Sequence, residues 1–526
     1  MGVRRSPHPS LPLRRTAATV LAACGLATGL AASAGAADTT SARSAAQPDV
    51  WSAPQQVAPC AVGAPQIAFP SSSPAAPSGP GAVVWVAPAG GCAGTIAASS
   101  SGRDSLDLAW LGAAERATAS ASHALPPTIG PPTLQALGGS EGRVDAIVPA
   151  GGVVQVLQAV DGGRPRRVLA LPSAGPAAIT RGYLGDVAIA AVEPHDQIAV
   201  TIQRHYPSSF SRPIRIRIGP GAVSALTITM DFRSDLLVAW QQEGAIYAHL
   251  LRTSGRGEAT QRVGPSPADP QLLATVSDNN HGMIAWASTE PPAGAGPRTI
   301  IRLALSGVNV RFGAIRTVAS FADPARLGQV AGTLVLTRLS GENVMLAWTE
   351  RRGGRYRVLA APAVFAATRP PTVVSAPGEQ AALAGLAAGP DDEAIVLWRR
   401  LGADPTRWSE GSLRAAQANF AAHDRVVLRP AAQVSGEGSP VQPAVAVNPG
   451  DDHAVAAWLG RKGVQYAVAS GNATYRPHAY VPPASSSSSH PIAAGVAGLL
   501  LLIIAAGWII HARRRRPRPS VRRWPF

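Results

Sequence analysis

From about residue 225 to residue 470 the chain repeats one pattern. A turn rich in Asp, Asn and Gly precedes a run that is apolar at every position and ends in Trp. Arg233-Ser234-Asp235 leads into Leu236 to Trp240, and Asn279-Asn280-His281-Gly282 into Met283 to Trp286. Gly341-Glu342-Asn343 leads into Val344 to Trp348, Pro390-Asp391-Asp392-Glu393 into Ala394 to Trp398, and Gly450-Asp451-Asp452-His453 into Ala454 to Trp458. An earlier copy runs from Gly81 through Ala82 to Trp85. A strand apolar at every position, rather than at alternate ones, must be covered on both faces.

Each later copy sits inside a longer unit. A first strand precedes the turn (Ala225 to Thr229, Leu272 to Val276, Thr333 to Thr337, Ala444 to Val447). A third follows the Trp (Ala245 to Ala248, Thr299 to Leu303, Arg355 to Leu359, Val464 to Val468). A fourth ends in Val and a small residue (Val263-Gly264, Val318-Ala319, Val374-Ser375, Val434-Ser435). Four short strands recurring at steps of about fifty residues are the unit of a β-propeller blade. The Trp is then expected to fill the wedge where neighbouring twisted sheets diverge. A parallel α/β sheet also covers both faces of its strands, but no amphipathic helical pattern separates these.

Two weaker copies, Asp145 to Val148 and Asp186 to Ala191, occupy the gap between Trp85 and Trp240. The expected fold is therefore all-β, a propeller of seven or eight four-stranded blades over residues 37–481, with an N-terminal signal helix and one C-terminal transmembrane helix. Val50 to Ala58 reads as a fourth strand standing before any blade, and pairing it into the last blade removes two open edges. Tyr475 to Tyr480 is the rival closing strand.

The formal net charge of +16 first suggests a nucleic-acid binder. Most of that excess lies at the ends, in Arg4, Arg5, Arg14 and Arg15 and in Arg513 to Arg516, Arg518, Arg522 and Arg523. A basic stripe on a folded face is what nucleic acid requires, so no nucleic-acid partner is expected. The basic N-terminus, the apolar stretch from Ala17 to about Ala32 and the small residues after it read as a signal peptide over residues 1–36. Leu21-Ala22-Ala23-Cys24 also resembles a lipoprotein box. Residues 482–491, Pro- and Ser-rich, read as a stalk. The uncharged run Ile492 to Ile510 is long enough to cross a hydrocarbon core of about 30 Å. Residues 511–526 form an Arg-rich tail that the positive-inside rule places in the cytoplasm. A single-pass type I membrane protein with its propeller outside the cytoplasm follows.

Cys60 and Cys92 remain once Cys24 is assigned to the signal. An even pair outside the cell reads as one disulfide, stabilising by about 3–4 kcal/mol on loop-entropy grounds.

The repeat resembles the degenerate propeller repeats related to bacterial sialidases, over most of residues 50–470. The aspartate box of that family, Ser-x-Asp-x-Gly-x-x-Trp, is missing; Ser105-Leu106-Asp107 followed by Trp110 is the nearest approach and lacks the Gly. The resemblance therefore implies the fold and not the activity. The acid clusters Asp278 to His281, Asp391-Asp392-Glu393 and Asp451-Asp452-His453 lie in turns, where Asp and Asn bond their own backbone. They lack calcium-loop spacing, and neither metal nor cofactor is expected.

The ligand mouth is expected on the opposite face, at the connections between second and third strands. Those hold Glu243, Glu290, Glu350, Arg351, Arg352, Arg399, Arg400, Arg461 and Lys462. Glu350, Arg351, Arg399, Arg400 and Arg461 are the candidate ligand-binding residues, since converging guanidinium groups grip a carboxylate or phosphate bidentately. No phosphate loop, zinc spacing or Gly-x-Ser-x-Gly elbow is present. The expected function is non-catalytic binding of a protein or glycan at the cell envelope. The alternative is a divergent sialidase-like glycosidase with an Arg-lined pocket and Glu350 as acid or base.

Overall fold

A computed structural model of the chain describes residues 50–469, except 71–79, 90–103, 113–114, 127–132, 139–141, 183–184, 253–256, 267–270, 278–280, 291–297, 308–310, 323–333, 340–342, 365–366, 369, 390–392, 403–410, 420–425, 437–440 and 450–452. The expected signal peptide, stalk, membrane span and basic tail all lie outside the described residues, as do Cys24, Cys92 and the rival strand Tyr475 to Tyr480. Among the described residues no helix is long and apolar enough to cross a membrane.

The strands form eight separate antiparallel sheets. The first strands of blades 1 to 8 are Gln66–Ala68, Gln135–Gly138, Ala177–Arg181, Val223–Met230, Gln271–Val276, Leu334–Arg338, Ala381–Ala388 and Val441–Val447. Each touches the first strand of the blade before and after it, and the last touches the first, so these eight strands close a ring. Seven blades are contiguous in sequence. The eighth takes Ala454–Gly460 and Gly463–Ala469 from the end of the chain and Gln55–Ala58 from its start. The N-terminal strand is thus the closing strand. The blade count is eight, with Asp145 and Asp186 marking the two weaker units.

The Trp-tipped runs are the second strands, and they are buried almost throughout. Leu236–Gln242 and Ala454–Gly460 are buried at every position. Each Trp packs between its own blade and the preceding one. Trp240 lies with Ala190 and Val200 of blade 3, Trp286 with Leu237 and Ala239 of blade 4, and Trp348 with Ala285 and Leu303 of blade 5. Trp398, Trp458 and Trp85 repeat the arrangement around the ring to the seam of blades 8 and 1.

The two weaker units lack this indole, and their seams are filled differently. Between blades 1 and 2 the filler is Trp110, on the third strand of blade 1, Ser105–Leu111. It is 1% exposed and donates its Nε1–H to the Gly163 carbonyl at 3.2 Å. Sequence reasoning set Trp110 beside a defective aspartate box; its place in the fold is an inter-blade wedge. Between blades 2 and 3 the seam is filled mainly by aliphatic side chains such as Ile147, Val156 and Ile189, with the partly buried Phe210 packed against them. A buried polar network supplements them: Arg143 pairs with Asp145 at 2.8 Å, Gln158 donates to Asp145 at 2.7 Å, and Gln158 donates to Gln203 of blade 3 at 2.6 Å.

Ring closure is held by Tyr466, fully buried on the third strand of blade 8. Its hydroxyl donates to Gln55 of the closing strand at 2.8 Å and accepts the Ala117 N–H of blade 1 at 2.9 Å. Gly463 has φ +95°, and a Cβ there would stand 2.1 Å from the Ala58 carbonyl, so only glycine admits the closing strand this closely. Tyr466→Phe is expected to destabilise the ring by about 1 kcal/mol, since the buried hydroxyl's two hydrogen bonds to the closing strand and to blade 1 are lost. Urea unfolding of wild type and variant checks this; equal midpoints would mean that the closing strand is held by its backbone alone.

Candidate functional site

Antiparallel alternation divides the connections between two faces. First-to-second and third-to-fourth turns share one face; second-to-third turns and inter-blade connections share the other, the mouth face. Several second-to-third connections are two-residue hairpin turns. Gly151-Gly152, Glu243-Gly244 and Gly353-Gly354 all have positive φ at both positions, the geometry that matches the twist of the flanking strands. Such turns leave little loop to build a deep mouth. Consequently Glu350, Arg351 and Arg352 end a strand, Asn343–Arg352, and Arg399 and Arg400 stand near the end of another, Glu393–Leu401. Arg461 and Lys462 form the corresponding turn of blade 8.

The five candidate residues occupy one face of three consecutive blades, 6, 7 and 8, but they do not share one environment. Glu350 accepts from Arg357 of the adjacent strand at 3.0 Å. The Arg351 guanidinium lies over the Tyr356 ring, 5.7 Å from its centroid, a cation–π contact within the same hairpin. Arg399 is 5% exposed, on the side of its strand that carries Leu397 toward blade 8. Burial pushes its guanidinium pKa down to about 10. Arg400 and Arg461 are exposed.

The same cross-strand motif recurs on this face. Glu290 pairs with Arg302 in blade 5, and Glu193 with Arg215 at 2.8 Å in blade 3. Glu379, in the connection between blades 6 and 7, lies 3.8 Å from Arg414. These four acids of the mouth face thus sit beside arginines of their own or the next blade and neutralise them.

Residues that the strand pattern does not single out also shape this face. Gln135 and Gln271 open first strands and clamp the following blade. Gln271 accepts the Leu334 N–H at 2.7 Å; Gln135 donates to the Ala177 carbonyl at 3.0 Å and accepts the Ile179 N–H at 3.3 Å. The recurrence of Gln at the start of first strands is a signal the sequence carries, yet only the contact between blades gives it meaning.

Cys60 lies in the connection from the closing strand to blade 1, is 2% exposed and is disulfide-bonded; its expected partner Cys92 is outside the described residues. The turn clusters behave as turns where they are described. Ser277 accepts the His281 N–H at 3.1 Å, and Asp231 accepts the N–H groups of Arg233 and Asp235, both at 2.8 Å. Among the described residues no group of three or more His, Cys, Asp or Glu is placed to hold a metal.

No protein-family model matches the chain, and no curated protein matches it. Among solved structures it is similar to hydrazine synthase of Kuenenia stuttgartiensis, with 11% identity, 61% of this chain and 91% of that one covered, and a TM-score of 0.37. It is similar to the β-propeller domain of the trilobed protease from Pyrococcus furiosus, with 8% identity, 65% and 96% covered, and a TM-score of 0.40. The Aleuria aurantia lectin gives 10% identity, 58% and 96% covered, and a TM-score of 0.34. At such identities and TM-scores these likenesses carry no argument of their own. By its own topology, the chain is an eight-bladed β-propeller closed by its N-terminal strand.

Proposed function

We propose that this propeller is a non-catalytic binding module, tethered outside the cytoplasm by the C-terminal segment and presenting its mouth face to a protein or glycan of the cell envelope. The observation that carries the reading is where the chain leaves the ring. Ala469 ends the third strand of blade 8 on the face opposite the mouth, bridged there to Trp51 of the entering segment. A tether in the residues that follow starts from the face opposite the mouth, which supports a mouth face left open to a partner. The mouth-face Glu–Arg pairs support binding over catalysis, since each carboxylate is already engaged by a neighbouring guanidinium rather than directed at a substrate. The pattern-level kinship with sialidase-related repeats enters as part of this proposal, as a relative by fold that lacks the aspartate box.

The test is a pull-down from envelope extract with the tagged full chain in detergent, beside a panel of glycosidase substrates. Expected is capture of a defined envelope component that weakens at least about tenfold in an Arg351→Ala, Arg400→Ala, Arg461→Ala triple variant, with no turnover. Turnover of any glycoside, lost in Glu350→Gln, would replace this reading with the enzymatic one.

A further inference from the structure

A second candidate site lies on the other face. In the seam of blades 4 and 5 the structure holds a cleft of about 170 Å³. Its apolar lining includes Leu237, Leu250, Val276 and Phe312; Asp231, Asp235 and Glu258 also line it. Roughly 150 Å³ of apolar cavity accommodates a six-carbon ligand, so the space suits a small molecule rather than a few waters.

The walls are built rather than incidental. Glu258 and Ala259 of blade 4 and Ser306 and Phe312 of blade 5 border the cleft, and isolated bridges tie Leu251 to Gly257 and Ser306 to Phe312. Gln261 clamps Phe312 from both sides, donating to its carbonyl at 3.0 Å and accepting its N–H at 2.9 Å. Phe312 is therefore held in place over the cleft before any ligand arrives.

Asp231 supplies the chemical preference. It is 4% exposed. Both N–H groups that it accepts, from Arg233 and Asp235, go to Oδ1. No described residue donates to Oδ2. Burial raises its carboxyl pKa above the ordinary range, and the two N–H bonds only partly offset this. Glu258 is engaged by Arg252 at 2.6 Å, and Arg311 stands exposed at the rim. A carboxylate oxygen that opens onto an apolar lining is complementary to a cationic head on a short hydrocarbon body.

We propose that this cleft binds a small organic ammonium compound, with its hydrocarbon body against Leu250, Val276 and Phe312 and its ammonium group on Asp231 Oδ2. The site is independent of the mouth-face reading.

The test titrates n-butylammonium into the full chain in detergent, followed by ligand-observed NMR and thermal shift, with n-butanol and butyrate as neutral and anionic counterparts. Expected is saturable butylammonium binding, about tenfold tighter than butanol, and none with butyrate. Asp231→Asn preserves the two accepted N–H bonds and is expected to remove the ammonium preference while butanol binding stays unchanged. Leu250→Phe, which fills the cleft without touching the turn, is expected to abolish binding of both. Equal affinity for butanol and butylammonium, no saturable ammonium binding, or ammonium binding unaltered in Leu250→Phe would each overturn the proposal.

Discussion

Trp348→Ala is expected to cost about 3–5 kcal/mol, the range for deleting a buried aromatic side chain. Trp348 is fully buried between blades 5 and 6. Its removal takes apolar surface from both sheets at the point where their twist parts them, and a strand pinned on both sides has little freedom to collapse into the space. The indole nitrogens of these wedges differ, which yields a sharper comparison. Trp286 Nε1 donates to the Pro265 carbonyl at 3.3 Å, whereas Trp348 Nε1 meets no acceptor among the described residues. Trp348→Phe should therefore be milder than Trp286→Phe by about 1 kcal/mol. Urea unfolding with fixed m-values checks both, because blades that uncouple would show as a fall in m. A Trp348→Ala loss below about 1 kcal/mol would mean that the indoles decorate the seams rather than hold them.

The second large effect is expected at the seam that has no indole. Asp145→Ala should destabilise by about 3–5 kcal/mol, because it leaves the Arg143 charge buried without its carboxylate. Arg143 and Asp145 are both buried, and Arg143 also donates to the Gly185 carbonyl at 2.9 Å, tying blade 2 to blade 3. The pair Arg143→Met with Asp145→Leu should recover most of the loss, since a buried ion pair and an apolar replacement of similar volume are often close in energy. A double-mutant cycle separates these outcomes. Additive losses would show that the two side chains act independently.

The acid dependence has a definite sign. Burial raises the Asp145 carboxyl above its ordinary range, more than the nearby Arg143 charge lowers it. A raised folded value means that this group's contribution is fully present below the ordinary carboxylate range and declines as pH rises through the folded value. Asp145→Asn should flatten that part of the pH–stability curve.

These two expectations mark how far the residues alone could be read. Where blades follow the repeat most closely, as in blades 4 to 6, all four strands were legible, because covering a strand on both faces demands an unbroken apolar run and the indole punctuates it. From residue 86 to 222 the reading weakened for a physical reason. The seams there are closed by a Trp on the third strand and by a polar network, and neither leaves a periodic apolar signature. The candidate binding residues were legible as charged positions at strand ends. Their pairing was not, because Glu350 meets Arg357 only through hairpin register, and Arg399 is buried only because blade 8 stands beside it.

The cleft between blades 4 and 5 shows the same division. Asp231 reads in sequence as a turn former, which it is. Its free oxygen becomes a site only when two pinned loops of different blades enclose it with Leu250 and Phe312.

The sequence by itself determined the repeat, the strands of the regular blades and the wedge residue of six blades, and it narrowed ring closure to two candidate strands, since each is a local matter of which side chains must be hidden from water. Only the tertiary structure decided the number of blades, the substitutes at the two irregular seams, which charges neutralise one another and where a cavity remains. Those depend on residues far apart in the chain meeting across a seam, and no local pattern encodes such a meeting.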